Sequence, residues 1–250
     1  MSTVTGALIA LLAFSGAGAP LLQEAETDDW EFAENAARSL TIAAVRYDDG
    51  KAVVAQCRAG ELKLVINGVT VAADALPHYD ASRADGRRDV QVWTAEGGAL
   101  TSDAAARDAR FLRGGGALTL RTSGGQGPVT RMTFDLPNEH ANLDRVLTAC
   151  GKPVEDARDS LARYVAPPPA ETPDRQPKSR SRPTGYTDLS CIIRDGRYRD
   201  CRVENTSSRR EGEESRRALE GDSVSTADEA TPNESVVFLR LTTVVEFVPA

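Results

Sequence analysis

The sequence predicts an α+β fold in two unequal units: a β-rich N-terminal domain that ends in a helix, and a small ββαβ C-terminal domain. Three observations carry this prediction. Apolar residues alternate with period two in several short runs separated by glycine turns, the signature of half-buried strands. A run of helical periodicity follows at 138–150, closed by Gly151 and Pro153, which act as a stop. Between the units lies "APPPAETPDRQPKSRSRP" (166–183), whose prolines and charges describe an extended, solvated linker.

The expected boundaries are a signal peptide at 1–22, the N-terminal domain at 23–165, the linker at 166–183 and the C-terminal domain at 184–250. Residues 7–14 form a short apolar run followed by Ala17-Gly18-Ala19, a secretory pattern that implies export. A buried N-terminal segment is the alternative. The run is too short to span a bilayer, which needs about 20 apolar residues, and no later segment approaches that length. The formal charge of -7 argues against a nucleic-acid partner, whose phosphates require a surplus of Lys and Arg.

The strands are justified in turn. In "KAVVAQCRAGELKLVINGV", Val53, Ala55 and Cys57 alternate, then Leu62, Leu64 and Ile66 alternate after Ala59-Gly60, which reads as a hairpin. Further strands are expected at 90–93, 117–121 and 130–136, with turns at Gly97-Gly98, Gly114–Gly116 and 124–128. In the helix, Asn138 is the expected cap, and Leu143, Val146, Leu147 and Cys150 share one face. The C-terminal unit reads as a hairpin in "DLSCIIRDGRYRDCRVE", a polar helix at 211–220, and a long strand, "SVVFLRLTTVVEFV". Val237, Leu239, Leu241, Val245 and Phe247 fall on one face of that strand.

Four cysteines decide the chemistry. Their spacing lacks the close pairs that zinc requires and contains no C-x-x-C redox motif. In an exported chain disulfides are then the default. Of three connectivities, Cys57–Cys150 with Cys191–Cys201 keeps each bridge within its own domain. Residues directly opposed in an antiparallel pair share a face. A Cys191–Cys201 bridge is therefore expected to sit on a three- or five-residue loop centred on Gly196, because a two-residue Asp195-Gly196 turn would oppose Cys191 to Asp200.

No catalytic constellation assembles. The two histidines, His78 in "LPHYD" and His140 near the helix start, have no paired nucleophile or ligand set beside them. Asn205 and Asn233 stand in glycosylation-type triplets, which occur often by chance. No cofactor or metal is expected, and the chain reads as a non-enzyme. A hydrolase with its site in the N-terminal domain is the remote alternative.

The C-terminal unit resembles the TonB C-terminal domain family. The resemblance rests on "DLSCIIRDGRYRDCRVENTS", on Ala218-Leu219 at the end of the following helix, and on the final "LRLTTVVEFV", and it covers residues 184–250. It implies a periplasmic module that binds a partner by adding a strand to an exposed sheet edge. Residues 237–247, with Val237, Leu239, Leu241, Val245 and Phe247, would then supply main-chain hydrogen bonds. The implied partner is an envelope protein or peptide of the outer-membrane-receptor kind, or the cell wall, in TonB-type envelope transport. In the alternative reading the C-terminal unit only packs internally, without energy transduction. The N-terminal domain belongs to no family the sequence suggests.

Overall fold

The structure, a computed structural model, describes residues 28–70, 78–123, 129–165, 183–224 and 234–244. The expected signal peptide and nearly all of the expected linker lie outside them, as do the glycine turn at 124–128 and Asn233. Nine strands form one antiparallel sheet. They are β1 (Glu31–Asn35), β2 (Leu40–Arg46), β3 (Ala52–Arg58), β4 (Glu61–Asn67), β5 (His78–Arg83), β6 (Arg88–Glu96), β7 (Ala99–Ser102), β8 (Gly116–Ser123) and β9 (Arg131–Leu136). Their spatial order is β1-β2-β3-β4-β7-β6-β5-β8-β9. Two helices accompany them, α1 (Ala105–Phe111) and α2 (Ala141–Ala149).

The sheet curls over a single core. β6 changes neighbours midway, pairing β5 through 88–92 and β7 through 93–96. Alternating positions on β3, β4 and β9, among them Val53, Ile66 and Phe134, point inward with Trp30, Tyr79 and Trp93. Tyr47, just after β2, meets the Phe134 ring at 5.5 Å and donates its hydroxyl to the Asp135 carbonyl at 3.0 Å. Opposite ends of the strand order thus close on one another. His78, expected in a loop, opens strand β5 and pairs with both Val92 and Ser123.

Helix α2 buries Leu143, Val146 and Leu147 and is bonded to β3 through Cys57–Cys150, with the two Cα atoms 5.5 Å apart. Its cap differs from expectation. His140 occupies the N-cap position without a side-chain cap bond, and Asp29 accepts from the Asn142 N–H at 3.1 Å. Asn138 lies two residues too early for the role, and its amide donates to Asp28.

The second sheet has the order β10-β13-β11-β12, from β10 (Ala162–Tyr164), β11 (Pro183–Arg194), β12 (Arg197–Thr206) and β13 (Ser235–Val244). Helix α3 (Arg209–Leu219) lies between β12 and β13 in the chain, with Ser208 accepting from the Glu211 N–H at 3.4 Å. This polar helix needs only a narrow contact: Gly212 is its one buried residue. A Cβ there would stand 3.1 Å from Thr206 Cγ2, so a larger residue would crowd the Thr206 side chain. Strand β10, although it precedes the proline-rich stretch, runs parallel to the start of β13 and belongs to this sheet.

The hairpin register corrects the expected loop. Arg194 opposes Arg197, so the turn is the two-residue Asp195-Gly196. Both residues have positive φ, 50° and 67°, the hairpin geometry that Asp-Gly favours. Cys191 and Cys201 still meet, with Cα atoms 4.1 Å apart, because a bulge intervenes. Ile192 opposes Arg199 and Ser190 opposes Arg202, so Asp200 and Cys201 together face Cys191. Asp200 takes φ 49° and absorbs the extra residue, which returns Cys201 to the inner face.

The two bridges close loops of very different length, with sequence separations of 93 and 10. Chain-entropy arguments give about 5 kcal/mol for the long loop and about 3 kcal/mol for the short one. Replacing Cys57 and Cys150 by Ala is therefore expected to lower the denaturation midpoint more than replacing Cys191 and Cys201, as measured by urea unfolding of the paired variants.

Candidate functional site

The five residues of the expected binding strand do not share one environment. Val237 pairs on both sides, with Cys191 of β11 and Tyr164 of β10, so its main chain is already used. Leu239 and Leu241 oppose Leu189 and Thr187 of β11, and no described strand borders them on the other side. Val245 and Phe247 lie outside the described residues. Leu241 is 37% exposed, one of two large apolar side chains open to solvent among those described, with Val129 the other. Residues 238–244 thus present an edge with an apolar residue on it.

This edge is fixed by its surroundings. Arg240 forks onto the Asp188 carboxylate at 2.6 and 2.9 Å across β11 and β13, and its guanidinium lies 5.2 Å from the Tyr186 ring centroid. Phe238 is covered by the guanidinium of Arg163, 4.9 Å from the ring centroid. Arg163 comes from β10, so the short strand that closes one end of the edge also pins its first aromatic.

Behind the edge lies a buried ion network. Arg163 pairs with Asp103, and with Asp108 at 3.5 Å, while its side chain is 1% exposed. Arg107 forks onto Asp89 at 2.8 and 3.2 Å. Asp108 is fully enclosed, with Ser102 Oγ 2.5 Å from its Oδ2. Three carboxylates thus face two guanidiniums, and of these side chains only that of Asp103 keeps appreciable exposure. Burial pushes Asp108 up to about 7; Arg163 opposes the shift and Asp103 adds to it. For Arg163, burial alone would lower the pKa, but the carboxylates of Asp103 and Asp108 hold it above the usual value.

The network extends into the strap of residues 151–165 that joins the two sheets. Arg107, Arg110 and Arg113 recur every third residue. Arg107 donates to the carbonyls of Arg158 and Leu161, each at 2.9 Å, Arg110 to that of Pro153 at 3.2 Å, and Arg113 to that of Val154 at 2.7 Å. Arg110 also forks onto Asp159 at 2.6 and 2.9 Å. The strap in turn reaches the second sheet. Arg158 donates to Ser190 Oγ at 2.8 Å and to the Asp200 carbonyl, and Lys152 donates to the Glu204 carbonyl. Asn205 exchanges two amide hydrogen bonds with the main chain of Leu62, each 3.3 Å, so this sequon asparagine is engaged against β4.

None of these contacts was assembled from sequence. Helix α1 is short and falls in a stretch, 103–113, where no element is expected from the sequence. The signal available was the alanine-rich "DAAARDARFLRGGG", good helix formers stopped by glycines. Among the described residues no helix is long and apolar enough to cross a membrane, and the four cysteines form two disulfides. The chain matches no family model, no curated protein sequence and no solved structure.

Asp108 gives the network a measurable pH signature. An unfolded aspartate titrates near pH ~3.9, whereas the native carboxyl holds its proton to about 7. Between these values the native state binds a proton that the unfolded chain has lost, so this group makes stability fall as pH rises through the window. Asp108→Asn cannot lose that proton. Relative to wild type it is expected to gain about 1.4 kcal/mol per pH unit at most from pH ~4 to ~7 and then to hold a constant offset. Thermal melts across this range check the divergence; parallel curves would contradict it.

Proposed function

We propose that this protein is a non-enzymatic, exported protein of the periplasm whose C-terminal module binds an extended segment of an envelope protein by strand addition, in the manner of TonB-type envelope transport. The reading rests on the resemblance of residues 184–250 to the TonB C-terminal domain family. It is supported by the element order β11-β12-α3-β13. The observation that carries it is the edge of β13 at residues 238–244, paired with β11 on one side and bordered by no described strand on the other. Unpaired main-chain donors and acceptors there are the chemical requirement of strand addition, and Leu241 supplies an apolar contact. The disulfides suit an oxidising compartment.

A second reading, in which the C-terminal unit only packs against the N-terminal one, is favoured by the strap contacts of Lys152 and Arg158 with β11 and β12. One experiment separates the two. A photo-crosslinking residue at Leu241 of the full chain, activated in intact cells, is expected to give adducts that map to one extended segment of one envelope protein. A synthetic peptide of that segment should then slow main-chain hydrogen exchange at 238–242. Adducts scattered over abundant proteins, or exchange unchanged by the peptide, would leave the packing reading in place.

A further inference from the structure

A second surface of the molecule, away from the β13 edge, carries its own chemistry. An open groove of about 610 Å³ runs between the strap and the face of the β11–β12 hairpin, bounded on the far side by the end of α3. Its size falls within the range of small-ligand sites. Four guanidiniums line it, those of Arg158, Arg194, Arg202 and Arg216, against three carboxylates, those of Asp156, Asp200 and Glu220.

Each carboxylate is already engaged. Asp156 pairs with Arg202 at 3.0 Å and lies 3.8 Å from Arg110. Asp200 pairs with Arg194 at 3.0 Å. Glu220 accepts the main-chain N–H groups of Asp200 and Cys201 at 2.8 and 2.9 Å. Arg158 stands apart. It is 7% exposed, and every acceptor its guanidinium meets is a neutral oxygen: Ser190 O, Ser190 Oγ and the Asp200 carbonyl. Its Nε is enclosed and without a hydrogen-bond partner. Burial lowers its pKa, and the nearby positive charge of Arg202 adds to the effect. A buried cation without a directly paired anion is costly, and here it forms part of a groove wall.

We infer that this groove binds an organic carboxylate, an acid head on an apolar body, with the head drawn by the guanidinium of Arg158, which has no directly paired anion, and held by the guanidiniums of Arg202 and Arg216, whose partners in this structure are Asp156 and Glu213. Arginine forks match a planar carboxylate in two bonds. Leu161 and Ile192, which also line the groove, offer apolar surface that a bare inorganic anion would not use. The head belongs either to a free organic acid or to the C-terminus of a peptide, and both present the same chemistry.

Calorimetric titration of the full chain with three probes tests this: hexanoate, N-acetyl-Ala-Leu with a free carboxylate, and the same dipeptide as its amide. Binding of either acid with no binding of the amide supports the site. Hexanoate alone would indicate a small organic acid as the natural source, and the dipeptide acid alone a peptide terminus. Arg202→Gln and Arg216→Gln alter half-exposed side chains and are each expected to weaken the acid by about tenfold. Because Arg158 also joins the strap to the hairpin, its part is read in the intact protein, as a shift of its Nε–Hε NMR signal on saturation. Equal binding of acid and amide, binding of neither acid, or unchanged affinity in both variants would overturn the inference.

Discussion

The row of arginines at 107, 110 and 113 is the constraint on which the arrangement of the two sheets depends. Residues 153–161 run between the two sheets with one 3-10 turn at Ala157–Ser160. Buried carbonyls must be satisfied, and four of them receive guanidinium donors from this row. The periodicity of α1 matters here. Residues three apart lie on one side of a helix, so Arg107 and Arg110 address the same neighbouring segment, and Arg113, just past the C-cap Leu112, adds a third donor. Once the strap is held, Arg158 and Arg163 are placed at its two ends of contact, one against the hairpin of β11 and β12, the other above Phe238 of β13. The second sheet is therefore located by polar contacts. The hydrophobic cores remain separate, a large one within the nine-stranded sheet and a small one around the Cys191–Cys201 bridge.

Polar anchoring of this kind is sensitive to chemistry in a way that apolar packing is not. Desolvating five charged groups is recovered only when the geometry of each pair is good, and the forks of Arg107 on Asp89 and of Arg110 on Asp159 meet that requirement. The surplus carboxylate, Asp108, has no such fork, and burial pushes it up to about 7. Asp108 sits next to Arg163, and Arg163 carries β10 against β13. One side chain thus touches both the buried carboxyl of the first unit and the edge strand of the second.

The sequence was legible where burial follows periodicity. Alternation on β3, β4 and β9 places Val53, Ile66 and Phe134 in the core, and the helical spacing of Leu143, Val146 and Leu147 marks the buried face of α2. It was illegible where long-range contacts override local pattern. Asp29 caps α2 from 113 residues away, which no local signature announces. The arginines of α1 are buried, and burial of a cation depends on acceptors that only the folded chain brings near. In the hairpin the local rule was sound, yet two signals competed. Asp195-Gly196 favours a two-residue turn, whereas the disulfide needs a register shifted by one. A bulge at Asp200 satisfies both, and nothing in the local sequence distinguishes it from a longer loop.

That bulge also bears on which edge of the small sheet is open. An extra residue leaves main-chain donors without ladder partners, and here both are taken up, since Glu220 accepts from Asp200 and Cys201. Asp222 accepts from Tyr198, and the Gly221 N–H returns to the Tyr198 carbonyl. Farther along β12, Lys152 occupies the carbonyl of Glu204. One side of the sheet is thus closed by side chains and by the chain that follows α3, devices that keep an edge from pairing with other strands. The other side is treated differently. β10 covers residues 235–237 of β13, and no described strand borders the residues that follow, Leu239 and Leu241 among them. Among the described residues, one four-stranded sheet thus has its β12 edge occupied by side chains and following main chain, and residues 238–244 of β13 paired on one side only; strand addition, as proposed above, would use the second of these edges.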